Sequence, residues 1–279
     1  MIRRADLHTH TTASDGLYAP ADNVRMAKEA GLYAVAITDH DTVAGVAEAL
    51  RAGRELGIVV VPGVELSTVA NDRDIHVLGY GFSLNDTKWL TRLEELREGR
   101  NRRNERILAN LSRHGMPITP EELAAAAGKS TRKDKSVGRP HIAQAMVDKN
   151  YVSDLREAFD LWLAEGRPAY ERQERASSQE AIGWIHEAGG KAVIAHPGIY
   201  GDDDLVLSLL ERGADGLEAY HSDHAPEQER RYAEWAATRG KLATGGSDFH
   251  GVKDGKVYHG PIGNRSVDAD VLELLQSEV

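Results

Sequence analysis

The chain contains no cysteine. Disulfides, iron–sulfur clusters and thiolate zinc sites are thereby excluded, so any bound metal must be held by nitrogen and oxygen, a donor set suited to manganese, iron or zinc. Long apolar runs are missing as well. No stretch approaches the roughly 20 residues that a bilayer-crossing helix needs, and Met1-Ile2-Arg3-Arg4-Ala5-Asp6 moves into a strand without a signal-peptide core. A cytoplasmic location, no membrane association and no stable protein partner are the expectation. A glycine-rich P-loop, a dinucleotide-binding fingerprint and a serine-centred nucleophile elbow are also absent, which weighs against triphosphate, dinucleotide and acyl-transfer chemistry. No internal repeat or low-complexity tract is present.

The 279 residues are 41% hydrophobic and 28% charged, enough for one large α/β barrel or two modest domains. The net charge of −10 argues against broad coating of nucleic acid, but it is unevenly spread. Residues 86–175 hold 18 Lys and Arg against 15 Asp and Glu, whereas the remainder holds 16 against 29. Local acid attracts cations and local base welcomes an anionic substrate, so the split fits a metallohydrolase with a basic lid. Arg97, Arg100, Arg102, Arg103 and Arg106 supply much of that base, and a plain solvated helix face is the competing account of them.

Short β-branched runs alternate with helical stretches in the first ninety residues and the last hundred, the pattern of parallel strands joined by crossover helices. Strands are expected over 5–7, 34–38, 59–61, 75–79, 192–195, 216–219 and 242–244, and helices over 20–30, 43–56, 179–187, 205–211, 226–239 and 269–275. Ser177 with Glu180 reads as a capping box, Pro226 as a first-turn proline, and Gly31, Gly57, Gly189 and Gly213 as helix stops. Residues 86–175 show helical periodicity at about 86–113, 120–127, 140–149 and 153–164 without a strong strand. The expectation is therefore a distorted (β/α)7 TIM-like barrel, residues 1–85 and 176–279, with a helical insertion at 86–175. Inside the insertion, the polar stretch from Gly128 to Ser136 reads as a loop, and its Lys129, Arg132, Lys133 and Lys135 as solvated.

Histidines and carboxylates recur at the ends of the expected strands. In an extended segment alternate side chains share a side, so His8 and His10 can grip one cation together. Thr38-Asp39-His40-Asp41, Gly63-Val64-Glu65, Asp74-Ile75-His76, Ala195-His196-Pro197 and Gly246-Ser247-Asp248-Phe249-His250 repeat the arrangement. In α/β barrels the C-terminal ends of several strands point into one mouth. One such histidine is easily a satisfied polar residue, but the same coincidence at every strand is improbable.

These residues carry a resemblance to the PHP (polymerase and histidinol phosphatase) family of metal-dependent phosphoesterases. The ordered set comprises Asp6-Leu7-His8-Thr9-His10 with Ser14-Asp15-Gly16, Thr38-Asp39-His40-Asp41-Thr42, Pro62-Gly63-Val64-Glu65-Leu66-Ser67, His76-Val77-Leu78-Gly79-Tyr80, Ala195-His196-Pro197 and Gly246-Ser247-Asp248-Phe249-His250. Gly138-Arg139-Pro140-His141-Ile142-Ala143 further resembles the branch that removes the 3′-phosphate from nucleoside 3′,5′-bisphosphates, some members of which also trim RNA from its 5′ end. The resemblance implies three divalent cations. His8, His10, Glu65 and Asp248 would hold the first, Glu65 with His76 and His196 the second, and Asp15, His40 and His250 the third. Many relatives have histidine where Asp15 stands, so manganese is favoured, with zinc or iron compatible. Metals about 3.5–4 Å apart can bridge a water and lower its pKa, which makes a hydroxide the nucleophile and Glu65 and Asp248 members of the reacting centre.

Around the ligands, Arg139 can clamp a phosphate through two parallel hydrogen bonds or make a surface ion pair. His141 stands beside that clamp or caps its helix, and Asp39 either orients His40 or His10 or caps the next helix. His221 and His224 face the mouth, where either can protonate a leaving alkoxide or be a plain loop histidine. Ser14 and Ser247 can touch phosphate or serve tight packing. His114, His186, Lys241 and His259 receive no role. The expected substrate is a small phosphorylated nucleotide, adenosine 3′,5′-bisphosphate above all. Histidinol phosphate, short RNA cleaved 5′ to 3′, and a non-catalytic metal- or nucleotide-binding module are the alternatives.

Overall fold

Three residues, Arg4–Asp6, form the first strand (β1) of the computed structural model, which describes residues 3–128, 134–253 and 255–275. Lys129, Arg132 and Lys133 lie outside the described residues. Strands and helices then alternate through α1 (Pro20–Glu29), β2 (Ala34–Ile37), α2 (Val46–Leu56), β3 (Val59–Ala70) and β4 (Arg73–Tyr80). A helical run follows: α3 (Thr87–Arg113), α4 (Pro120–Ala126), α5 (Arg139–Asp148) and α6 (Leu155–Ala158), which continues as a π-helical turn over Phe159–Leu163. Alternation resumes with α7 (Ser178–Glu187), β5 (Lys191–Ile194), α8 (Asp203–Glu211), β6 (Gly216–His221), α9 (Pro226–Thr238) and β7 (Leu242–Gly246). The last elements are β8 (Val252–Lys253), β9 (Lys256–Val257), β10 (Val267–Asp268) and α10 (Val271–Leu275). Among the described residues no helix is long and apolar enough to cross a membrane.

The local causes are those the sequence offers. Pro20 and Pro226 sit in first turns, where a missing N–H costs nothing, and Ser177 and Glu180 exchange hydrogen bonds around the start of α7. Gly57 ends α2 in the left-handed conformation, φ +66°.

Eight strands form one sheet in the order β10-β1-β2-β3-β4-β5-β6-β7. The sheet comes close to closing, because the Leu7 N–H donates to the Gly245 carbonyl (3.1 Å) and the Asp248 N–H to the His8 carbonyl (2.9 Å). The result is the expected α/β barrel. One expectation fails: the strands are not all parallel. β3 and β4 form an antiparallel hairpin, and β5, reached only after the inserted helices and α7, also pairs antiparallel with β4, so β4 runs against both neighbours. The physical reason is the two-residue turn Asn71-Asp72, with φ of +47° and +62°, a pair that matches the twist of a tight hairpin and leaves no room for a crossover helix. β3 is thereby 12 residues long, and Glu65 lies in its middle.

Side-chain alternation then decides what faces the barrel interior. Val64, Leu66, Leu217 and Ala219 face out, into the layer packed by α7, α8 and α9. Ala5, Ala36, Leu78, Tyr80 and Val193 fill the interior floor, closed below by Leu272 and Leu275 of α10. α3 serves two cores. Its Trp89, Leu93 and Leu96 pack with Val77 and Ile185 of the barrel layer, while Ile107 and Leu111 pack with Ile142, Met146 and Leu163 of the inserted helices. The insertion is tied to the barrel rim by Ser136 N–H to Ala13 carbonyl (2.9 Å) and Thr42 Oγ1 to Asp134 carbonyl (2.8 Å).

Candidate metal centre

Glu65 projects inward from β3 and is 1% exposed. Its Oε1 lies 2.7 Å from His76 Nδ1 and 3.0 Å from His196 Nε2. Its Oε2 lies 3.4, 3.1 and 3.0 Å from His8 Nε2, His10 Nε2 and His40 Nδ1. Five imidazoles thus converge on one carboxylate. The reversal of β4 explains His76: it stands near the start of its strand, not the end, and reaches the common mouth because β4 runs backwards.

Asp248 follows β7 in a left-handed conformation, φ +53°, as does His196 after β5, φ +27°. Such strained backbone is retained where the surroundings fix it for function. Asp248 Oδ1 stands 3.3, 3.1 and 3.5 Å from His8 Nε2, His10 Nε2 and His250 Nδ1. Asp15 turns back under the 11–16 loop, with Oδ1 3.5 Å from His250 Nε2 and Oδ2 3.8 Å from His40 Nε2. All nine expected ligands therefore meet in one buried cluster.

Whether the cluster suits cations can be judged from its own contacts. His8 Nε2 and His10 Nε2 face each other at 3.1 Å between the carboxylate oxygens of Glu65 and Asp248. The buried Asp15 Oδ1, His40 Nδ1, His196 Nδ1 and Asp248 Oδ1 have no hydrogen-bond partner. The ligand atoms of His10, Asp15, His40 and His250 lie within 4.8 Å of one another, as do those of His8, His10 and Glu65, and this all-nitrogen-and-oxygen set fits manganese, iron or zinc.

Electrostatics agree. Burial works against ionising Glu65, but His40, His76 and His8 hold its carboxyl well below the ordinary range; His8, His259 and His250 do the same for Asp248. Burial also opposes charge on His8, yet Glu218, Asp248 and Glu65 outweigh it and raise that imidazole well above its usual value. Cation entry must displace those protons.

The remaining expected residues divide. Glu218, which sequence reasoning left unassigned, is 1% exposed and accepts from His8 Nδ1 (3.0 Å) and from the His196 N–H (2.9 Å). The available signal was alternation: between outward Leu217 and Ala219, the one charged residue of that strand had to point inward. Glu218→Gln is expected to let the His8 ring turn and to weaken metal retention and turnover by about 10- to 100-fold, read by dialysis with elemental analysis and by steady-state rates.

His221 Nδ1 accepts the Asp223 N–H (3.1 Å), so the proton of the neutral ring sits on Nε2, 3.3 Å from Asp248 Oδ2. It steadies a ligand from a fully buried position. His224 corrects the expectation of a mouth-facing side chain: Nδ1 bonds the Ala219 carbonyl and Nε2 accepts the Gly198 N–H, both at 3.0 Å, so the ring pins the loop after His196. His259, left without a role, does reach the centre, with Nδ1 2.6 Å from Asp223 Oδ2 and Nε2 3.6 Å from Asp248 Oδ2.

Asp39 corrects both of its alternatives. It touches no histidine directly and caps no helix but accepts from Thr11 N–H, Thr11 Oγ1 and Ser14 Oγ at 2.7, 2.7 and 2.6 Å, fixing the loop that carries Asp15 and reaching His10 only through Ser14. Ser14 Oγ thereby stands between Asp39 and His10 Nδ1, 3.5 Å from the latter. Ser247 is fully buried and its Oγ has no partner. His141 caps its own helix, Nδ1 accepting from the Gly138 N–H (3.0 Å), and burial lowers its pKa to about 4. Arg139 Nη2 is 3.6 Å from Asp74 and its guanidinium lies over Phe159 and Tyr170.

A cavity of about 480 Å³ opens beside the cluster between barrel and insertion. Asp15, His250 and His259 line its polar end, and Leu17, Phe159 and Tyr258 its apolar walls.

A family model described as the PHP domain matches residues 6–160. A 5′-3′ exoribonuclease of Haemophilus influenzae is 35% identical over 255 residues, 90% of this chain and 91% of its own. A 3′,5′-nucleoside bisphosphate phosphatase of Chromobacterium violaceum is 33% identical over 258 residues, 90% and 88% of the two chains. A solved Bifidobacterium adolescentis protein proposed to be a metal-dependent phosphoesterase superposes with a TM-score of 0.87 at 32% identity, covering 97% of this chain and 94% of its own. Matched over more than half its length by the family model and over nine-tenths by these relatives, the chain belongs to the PHP domain family of metal-dependent phosphoesterases.

Proposed function

We propose that the chain is a phosphomonoesterase that removes the 3′-phosphate of nucleoside 3′,5′-bisphosphates, converting adenosine 3′,5′-bisphosphate to AMP and phosphate. The observation that carries this reading is a buried ligand cluster opening directly onto a cavity with aromatic walls, large enough for a nucleoside. The Chromobacterium relative's name supports the same substrate class.

In this reading His8, His10, Glu65 and Asp248 hold one cation, Glu65 with His76 and His196 a second, and Asp15, His40 and His250 a third, manganese by preference. Bound cations bring the pKa of a water towards neutrality and offset the negative charge that builds on the phosphoryl oxygens. Glu65 has the central place because a carboxylate offers two oxygens and an imidazole one lone pair. Glu218 fixes the tautomer and tilt of His8. His259 lines the cavity through which the nucleoside leaves, and with its Nδ1 held by Asp223 it carries at Nε2 the proton that the departing alkoxide takes. His221 keeps Asp248 in place instead. Leu17, Phe159 and Tyr258 give the base its apolar contacts, excluding water from that wall.

The Haemophilus relative's name supports a second reading, stepwise cleavage of short RNA at the same centre. The test is phosphate release from adenosine 3′,5′-bisphosphate by manganese-loaded protein, run beside a labelled 5′-phosphorylated oligonucleotide on a gel. AMP and phosphate as products are the expected result. Shortening of the oligonucleotide with no release from the bisphosphate would replace the first reading with the second.

A further inference from the structure

The apolar stripe of α3, Leu93, Leu96, Ile107 and Leu111, is interrupted at helical spacing by two arginines that are buried with it: Arg100 at 6% and Arg103 at 2% exposure. Arg102 and Arg106 have side chains 56% and 45% exposed. Arg100 is matched, its Nε 2.6 Å from Asp41. Among the described residues Arg103 pairs with no carboxylate. It meets only neutral oxygens, Gln173 Oε1 at 3.1 Å and Asn104 Oδ1 at 3.0 Å.

Around it three buried donors have no acceptor among the described residues: Arg103 Nε, Gln173 Nε2 and Arg175 Nε. Arg100, Arg139 and Arg175 all add positive field at Arg103, opposed there by Asp74. Among the described residues the direct ion-pair partners of this group are Asp41, for Arg100, and Asp74, for Arg139 and Arg175, and a guanidinium does not shed its proton in a protein. Such a charge stays buried only with a compensating anion or at a large cost. Arg139 and Asp74, at 3.6 Å and with side chains 22% and 45% exposed, form a loose pair at the solvent edge, the way in. Asp74 also places the cluster on the flank of the metal centre, two residues before His76 on β4.

We infer that Arg103, Arg175 and Gln173, entered past Arg139, form a second oxyanion site for a phosphate group, separate from the metal ligands. The occupant is either the non-reacting phosphate of the substrate, in which case the inference rests on the function proposed above, or a free phosphate from solution. The orphaned N–H groups point to an acceptor with several oxygens, and the aromatic Phe159, which lines the nucleoside cavity while Arg139 lies over it, connects the two sites.

The test compares manganese-loaded wild type with Arg103→Met, which keeps the side chain's length and removes its charge. In chloride buffer the variant is expected to melt at or above the wild type, because a buried unpaired charge is gone. Sulfate at about 50 mM is expected to raise the wild-type melting temperature by on the order of 3 °C more than the variant's. The ratio of kcat/KM for adenosine 3′,5′-bisphosphate to that for 3′-AMP is expected to fall about tenfold in the variant. Gln173→Leu, which removes a donor without touching the charge, should move the same two readouts in the same direction and serves if Arg103→Met fails to fold. Loss of the sulfate response together with the fall in ratio identifies the substrate's remote phosphate as occupant. Loss of the response at an unchanged ratio identifies free phosphate. An equal sulfate response in wild type and both variants would overturn the inference and leave the cluster to water. Absence of bisphosphate turnover with the sulfate difference intact would sink the proposed function alone.

Discussion

Glu65→Ala is expected to lose on the order of 10³-fold or more in kcat/KM while keeping the wild-type fold, since losing several kcal/mol of charge stabilisation at a metal centre corresponds to that factor. Its two oxygens meet five of the expected ligands, His76 and His196 on one and His8, His10 and His40 on the other. Removing it separates the second ligand group from the first, and no neighbouring carboxylate is placed to substitute. The fold should survive because β3 is held by its backbone pairing, Glu65 opposite Leu78, and by outward Val64 and Leu66 in the core. Rates over a range of manganese concentrations with circular dichroism and melting of the same preparation check this. Retained turnover would remove Glu65 from the centre, and lost activity with a lost fold would make its role structural.

Stripping the metals by chelation is the second large effect. Turnover should fall to background, and the melting temperature should drop by on the order of 10 °C, because a ligand at about a thousand times its Kd contributes ~4 kcal/mol to the folded state. The size of that drop should depend on pH. In the stripped protein burial opposes charge on His10, but Asp248 and Glu65 win and raise its pKa to about 10, and His8 is raised likewise. A histidine with a raised folded pKa gives its full stabilisation below its ordinary value of about 6.5 and loses it as pH climbs towards the folded value. The stripped protein therefore weakens between those limits. In the loaded protein the cation has already replaced those protons, so the gap between loaded and stripped melting temperatures should widen from pH 6.5 upward. A gap independent of pH would mean that His8 and His10 do not exchange protons for metal.

How much of this was legible in the sequence varies with the physics involved. The ligands were readable because each sits in a short motif where geometry follows from strand alternation or a tight turn, as with His8 and His10. Helix ends were readable through Pro20, Pro226, Ser177 and Gly57 for the same local reason. The direction of β4 was missed although its cause is local too: Asn71-Asp72 between two β-branched runs signals a two-residue hairpin. Glu218 and Arg103 were harder. Each looks like an ordinary charged residue until its register with apolar neighbours is counted, and only tertiary packing makes that register face His8 in one case and Gln173 in the other. Asp39 and His224 are motif neighbours, yet their direct bonds go to Thr11, Ser14 and the backbone of Ala219 and Gly198, contacts that only the tertiary fold sets.

The central claim is that nine side chains, gathered from Asp6-Leu7-His8 to Asp248-Phe249-His250, act together on cations. Its most direct test is to return manganese stepwise to the stripped protein, measuring bound metal by elemental analysis and phosphate release from the same samples. Activity rising with bound metal and levelling at about three manganese per chain is the result predicted. Full turnover in protein carrying no metal, or binding that leaves turnover unchanged, would contradict it.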